Sequence, residues 1–299
     1  MSRTAPPPPT HNQIPRSPTD NLPVFLARPA DFNLVDDVAR PTLGMLAPEL
    51  ANLPGHVIRQ KIFQHSANML TGLDGVQLPY TMANNTIPQT LHIQRPQNPA
   101  TGTPWLPTHA IALTPPLTVL TPPDAPVTIV AMPGAVLAAH CAKLVMPMPV
   151  APLKPEYISL PVMRLTVPSM TAFVILRSYM YSRRVDRLLT GLLHFPPAFL
   201  LELRHGNPSD RIKAERADPQ EHMRLMQHLM LSTPSGIPAY WVRMRHLYGV
   251  WETMTSLVMS DPLLWEAFDL AWTLMRDSLL NITHVQGGSR PPQNLPRRV

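Results

Sequence analysis

The 299-residue sequence has one cysteine, Cys141, so no intramolecular disulfide can form and a stapled, secreted domain is excluded. Its 12 glycines are too few and too irregular for collagen, and they form neither G-x-G-x-x-G nor G-x-x-x-x-G-K, which removes the usual phosphate-cradling loops. Charge is sparse as well. Charged residues make up 15% of the chain, against about 25% in an ordinary soluble protein. No apolar run reaches 18 residues; the best candidate, Val127 to Val150, is broken by Pro133, His140, Lys143, Pro147 and Pro149. The opening Met-Ser-Arg-Thr-Ala-Pro-Pro-Pro-Pro has no apolar core, so no signal peptide is predicted and the protein is expected in the nucleus or cytoplasm, neither secreted nor in a membrane.

What is abundant is proline, 39 residues, beside an apolar fraction of 44% that is normal for a folded protein. Eight prolines fall in residues 1–30, three in 286–299 and eleven in 79–126, whereas 169–195, 239–261 and 263–290 have none. An interior proline removes a helix donor and clashes with the preceding turn, so long helices belong in the proline-free windows. The net charge of +6 is similarly partitioned: residues 1–30 contribute +2, residues 286–299 contribute +3, and the body between them only +1. A nearly neutral body makes nucleic acid an improbable partner for the folded part, although the arginine tails leave a nucleic-acid-binding regulator as an alternative.

Periodicity then gives the elements. Asn52 and Pro54 are expected to start one helix carrying Val57, Ile58, Ile62, Met69 and Leu70. Short strands are predicted at Leu91–Ile93, His109–Leu113, Leu117–Leu120, Val127–Ala131 and Tyr157–Val167, with proline at their edges. Helices are predicted at Gly134–Leu144, after a Ser169 cap, from Asp186, at Phe199–Leu203 and after Asp218-Pro219. A stripe of Trp241, Met244, Tyr248, Trp251, Thr255 and Val258 and a second of Leu264, Phe268, Met275 and Leu279 predict a closing helical hairpin. The fold class is therefore α+β: a small central β-layer packed by helices with a C-terminal helical hairpin. One domain is expected over residues 31–285, containing the proline-rich segment 79–126, between disordered proline-rich and basic ends at 1–30 and 286–299.

Catalytic constellations are absent from the spacing. His140 adjoins Cys141, but neighbours on a helix diverge by about 100 degrees, so a buried apolar thiol is the expected role. The 12 histidines form no His-Glu-x-x-His pattern, His222 and His228 lie six apart, and no cofactor or metal is expected. Asp36-Asp37 suits a turn or cap. The reading is non-enzymatic, with an enzyme of unrecognised class as a further alternative. Interaction features are clearer: Arg3, Pro6 and Pro9 have the spacing of a polyproline-groove ligand, and Ser17-Pro18 is a minimal proline-directed phosphorylation site, as are Thr114-Pro115 and Thr233-Pro234.

Two resemblances follow from motif order. Strand Val127–Val130, then Leu137-Ala138-Ala139-His140, then a helix with Phe173, Leu176, Tyr179 and Tyr181 distantly resembles the BTB/POZ pattern. More extensively, Val35-Asp36-Asp37-Val38-Ala39-Arg40-Pro41, Leu106-Pro107-Thr108-His109-Ala110, Leu137 to Ala142, Tyr179 to Arg184 and the Leu264-Trp265 to Trp272 helix together resemble the clampless-type proteins of mushroom-forming fungi. That resemblance implies a regulator of clamp-cell and dikaryon development that contacts other regulatory proteins, transcription regulators among them, in the nucleus.

Overall fold

The structure, a computed structural model, describes residues 37–288 except 77, 79–80, 96–105, 117–121, 123, 153 and 234–236. The tails at 1–30 and 289–299, with Arg3, Pro6, Pro9 and Ser17, and the strand predicted at Leu117–Leu120 lie outside the described residues. Among the described residues the elements run α1 (Arg40–Leu46), α2 (Gly55–Gln64), α3 (Ser66–Asp74), β1 (Thr81–Ala83), β2 (Thr90–Gln94), β3 (His109–Thr114), β4 (Pro126–Met132), α4 (Gly134–His140), β5 (Tyr157–Thr166), α5 (Met170–Ser182) and α6 (Val185–Leu192). The rest is helical: α7 (Pro197–His205), α8 (Pro208–Ala217), α9 (Pro219–Ser232), α10 (Ile237–Ser256) and α11 (Pro262–Gly288). This is the α+β class expected.

The five strands form one sheet in the order β1-β4-β3-β5-β2, antiparallel except for β3 beside β5. β3 is the central strand and is buried on both faces, because successive side chains alternate between them. Ile111 and Leu113 enter the main core with Met132 and Met163, whereas Ala110 and Ala112 turn to a smaller core with Ile129 and Leu160. The main core continues without interruption from Val38 of the N-terminal segment through Leu176 of α5 to Leu279 of α11.

Local chemistry explains the helix starts. The Ser169 hydroxyl accepts the Ala172 N–H at 3.2 Å, Asn207 accepts from Ser209 N, and Asp218 accepts from Gln220 N at 2.8 Å, each satisfying an otherwise orphaned donor. α1 and α8, which periodicity did not predict, both carry proline in the first turn, where its missing N–H costs nothing. The helix predicted from Asn52 is two helices broken at His65, begins after Pro54 without a side-chain cap, and leaves Leu70 exposed.

α4 ends at His140, four residues before its predicted end, because Cys141 leaves the helix to form an isolated antiparallel bridge with Met259. In α10 the buried face holds Tyr240, Met244, Leu247, Val250 and Met254, while Trp241, Tyr248 and Trp251 are only half-buried. Met244 is buried as predicted, but Trp241, Tyr248, Trp251 and Thr255 of the stripe lie one position from the buried residues and Val258 falls beyond α10, because large aromatics at the margin of a helix face look like its centre. α10 and α11 pack together, and Leu264, Phe268, Met275 and Leu279 are buried as expected. Two ion pairs and a hydrogen bond fasten α8 and α9 to α11: Lys213 to Glu266 at 3.5 Å, Arg216 to Asp269 at 3.6 Å, and His222 Nε2 to Asp277 Oδ2 at 3.0 Å. No helix among the described residues is long and apolar enough to cross a membrane.

Candidate functional site

The most deeply buried convergence of ionisable residues lies around Asp261, at the junction of four elements. Asp261 precedes α11 and caps it, its Oδ1 accepting the Leu263 N–H at 3.2 Å. Its Oδ2 accepts the Tyr179 hydroxyl of α5 at 3.0 Å and lies 3.8 Å from Arg59 Nε of α2 and 3.7 Å from His140 Nδ1 at the end of α4. Arg183 Nη2 approaches Oδ1 at 3.7 Å. Arg59 also donates from Nη1 to the Ala139 carbonyl at 2.9 Å, which satisfies an otherwise unpaired carbonyl at the buried C-terminal end of α4.

Burial sets the electrostatics of this junction. The side chains of Arg59, His140 and Asp261 are at most 1% exposed. Desolvation lowers the Arg59 pKa against the attraction of Asp261, and pushes Tyr179 well above its usual value, with Asp261 adding to the rise. His140 is held neutral, its pKa lowered from 6.5 to about 3, first by burial and only partly offset by Asp261. Cys141 is buried and its thiol is pushed up to about 12 by desolvation, so the apolar role expected for it agrees with its surroundings.

His140 predicts a pH dependence. In the unfolded chain it takes up a proton near 6.5, but in the folded protein only near 3. The unfolded state therefore binds more protons between those values, and stability contributed by neutral His140 is complete above 6.5 and lost as pH falls toward 3. Urea midpoints measured from pH 7 to 4 should fall more steeply for the wild type than for His140→Gln; equal slopes would contradict this assignment.

Backbone contacts close the same junction. Ala142 N donates to Val258 O at 3.0 Å, Ser260 N to His140 O at 3.1 Å, Ala39 N to Ala138 O at 2.9 Å, and the Ser260 hydroxyl to Asp37 O. Val258, a β-branched residue at φ 50, occupies the left-handed region that such residues avoid, and its pairing with Ala142 holds it there. Arg183 is left-handed at φ 45, ending α5 and turning its guanidinium toward Asp261.

A second polar chain lies under α1. His109 Nε2 is 2.9 Å from the Pro147 carbonyl, which can only accept, so this nitrogen carries the hydrogen and donates. Nδ1 then accepts the Thr108 hydroxyl at 2.8 Å, and that hydroxyl oxygen accepts the Gly134 N–H at 2.8 Å. Burial lowers the His109 pKa and keeps the ring neutral, with the Pro147 hydrogen bond opposing. A Cβ on Gly134 would stand 2.7 Å from His109 Nδ1 and from Leu46 Cδ1. Gly134→Ala should therefore displace the imidazole and destabilise the fold by about 1–3 kcal/mol, measurable by chemical denaturation.

These junctions use the sequence motifs noted above. Asp37, Ala39, Thr108, His109, Ala139, His140, Tyr179 and Arg183 fall in four separate motifs, and the fold brings them to two neighbouring polar networks. Phe173, Leu176, Tyr179 and Tyr181 are all buried on α5. Thr233 is buried and donates its hydroxyl to Leu229 O at 2.6 Å, which withdraws it as a modification site. Arg59 and the junction role of Asp261 were missed; an arginine beside Ile58 and three residues before Ile62, on the apolar face of a helix, was the available signal.

More open concavities are shallow. One of about 270 Å³ is lined by Leu73, Asp74, Val76, Ile129 and Arg177, and a second of about 240 Å³ by Glu49, Lys61 and His65. Arg177 there donates to Ala131 O at 3.3 Å and lies over the Tyr181 ring. No group of three metal-ligating side chains occurs among the described residues.

Comparison with known proteins adds one match. Residues 33–168 match the family model described as the Clampless protein 1 N-terminal domain. Neither a curated protein nor a solved structure matches the chain. The matched segment contains α1 to α4 and the whole sheet, with Arg59, His109 and His140, and ends immediately before the Ser169 cap of α5. Residues 33–168, somewhat under half of the chain, are therefore similar to a clampless-type N-terminal domain.

Proposed function

We propose that this protein is a non-enzymatic regulatory interaction module acting in clamp-cell formation and dikaryon maintenance. The clampless-type domain over residues 33–168 carries the reading, since its family name ties it to clamp development. Supporting a non-catalytic role, the buried convergence of ionisable groups around Asp261 is sealed: no substrate can reach an aspartate 1% exposed behind a buried arginine and histidine. Arg59, His140 and Asp261 fasten the family domain to the helices that follow it, so they position surfaces and move no protons to a ligand. The partners are other regulatory proteins, transcription regulators among them, met in the nucleus.

Disrupting the gene in mating-competent fungal strains and returning it as a tagged copy tests the proposal. Hyphae without the protein should fail to form clamps after mating, the returned copy should restore them, and the tag should be nuclear. Normal clamps without the protein would overturn the reading.

A further inference from the structure

Between α4 and β5 the chain runs as an exposed strap from Val145 to Pro152 with no helix, strand or turn. Its backbone is nevertheless tied down. Thr42 Oγ1 donates to Leu144 O at 2.7 Å, Met146 is 3% exposed, and His109 holds the Pro147 carbonyl. At the far end Tyr157 N donates to Lys154 O at 3.1 Å and Arg95 N to Glu156 O at 2.8 Å, leading the chain into β5.

Between these anchors the side chains face outward: Pro147, Met148, Pro149, Val150, Ala151 and Pro152 are all exposed, Val145 and Met148 by 83% and 59%. Prolines 147, 149 and 152 have fixed φ, and Met146, Met148 and Ala151 each precede proline and are thereby driven to extended backbone. Six of the seven residues 146–152 are so constrained by covalent structure alone. Among the described residues no backbone hydrogen bond engages residues 148–152. An extended, proline-fixed backbone that bonds to nothing has the properties of a polyproline II helix with three residues per turn.

Three residues per turn places Met148-Pro149 and Ala151-Pro152 in register on one ridge, with the exposed Lys154 two positions after the second pair. Two apolar-proline pairs at this spacing fit the two pockets of an aromatic-lined groove, and a cation beyond them needs an acidic rim. The ordering entropy is largely prepaid by the anchors and the prolines, as preorganised ligands require.

We infer that the strap, through Met148, Pro149, Ala151, Pro152 and Lys154, is the ligand of a partner domain of the SH3 type, with an aromatic-lined polyproline groove and an acidic rim. The inference deepens the interaction role proposed above and rests on it for its biological setting. The Arg3, Pro6 and Pro9 motif of the tail is a separate segment of the same spacing and serves as the internal control.

The test uses the full chain against a panel of purified SH3 domains with acidic rims and, for comparison, purified WW domains, read by biolayer interferometry. At least one SH3 domain should bind with micromolar affinity. Pro149→Ala/Pro152→Ala should weaken that binding at least tenfold and Lys154→Glu by about fivefold or more, while Pro6→Ala/Pro9→Ala leaves it unchanged. Because Pro149, Pro152 and Lys154 are exposed, the melting temperatures of the strap variants should match the wild type. No binding to any SH3 domain, binding only to WW domains, or binding abolished by the tail variant instead would overturn the inference. Its failure is separable from that of the broader reading. If Pro149→Ala/Pro152→Ala restores clamps as well as wild type and no SH3 domain binds, the strap inference falls and the regulatory role stands. Strap-dependent SH3 binding by a protein whose loss leaves clamps normal would have the opposite meaning.

Discussion

Asp261→Ala is expected to be among the most destabilising single substitutions in this protein, costing about 3–5 kcal/mol, because it leaves buried guanidinium charge without its carboxylate. Total stabilities are typically about 5–15 kcal/mol, so roughly a fifth or more of the margin disappears with one side chain. In a chain of this size the melting temperature should fall by roughly 10 °C. The substitution also removes the Tyr179 hydrogen-bond acceptor and the cap of α11. Asp261→Asn deletes the charge and keeps one acceptor oxygen, enough for either the Leu263 N–H or the Tyr179 hydroxyl in place, and should fall between alanine and wild type.

The companion substitution separates charge from packing. Arg59 loses its carboxylate partner when Asp261 is gone but keeps its desolvation cost, so Arg59→Met in the Asp261→Ala background should recover part of the loss, less the hydrogen bond to the Ala139 carbonyl. The coupling between the two, read from a double-mutant cycle in urea, should be about 1–3 kcal/mol. A single Asp261→Ala variant within about 1 kcal/mol of wild type would show that the junction is not held by this network.

The second large effect concerns where the family domain stops. A fragment ending at residue 168 should not fold cooperatively, although it contains the whole matched segment. In the full chain Val136, Leu137, Ala138 and Ala139 of α4 are completely buried, in one core with Phe173 and Leu176 of α5 and Leu264 and Phe268 of α11. Cutting at 168 uncovers that face, removes the Asp261 and Arg183 carboxylate–guanidinium contacts, and leaves Arg59 and His140 buried against water or nothing. The fragment should bind a hydrophobic dye, give poorly dispersed amide resonances and melt without a sharp transition. Co-expression with residues 169–299 should restore a single cooperative unfolding transition, as expected if residues 31–285 form one domain. A fragment that melts sharply by itself, within a few degrees of the full chain, would instead make the matched segment an independent domain.

Much of this architecture is legible along the chain because local physics fixed it. Proline distribution located the helical windows and the edges of β3 and β4, and the Ser169 and Asp218 caps are short-range consequences of orphaned donors. Where reading failed, a distant partner intervened. α4 is shorter than its alanine-rich composition predicts because Cys141 pairs with Met259, more than a hundred residues away. The buried face of α10 is rotated from its aromatic stripe because neighbouring helices, α5 and α11 among them, choose which side to cover.

The candidate sites divide along the same line. Proline spacing in the strap is visible in sequence, yet the same spacing recurs in the N-terminal tail; only the fold distinguishes them, by pinning Pro147 through His109 and leaving Pro149 and Pro152 outside. His140 and Cys141 are adjacent in sequence and invite a catalytic reading, but burial holds one neutral and the other protonated. Composition, proline placement and motif order determined the fold class, the positions of most elements and the resemblance of residues 33–168 to a clampless-type domain. Tertiary structure alone decided that Arg59, His140, Tyr179, Arg183 and Asp261 form one sealed junction, because the interaction of charges depends on distance and burial, and neither is a property of separation along the chain.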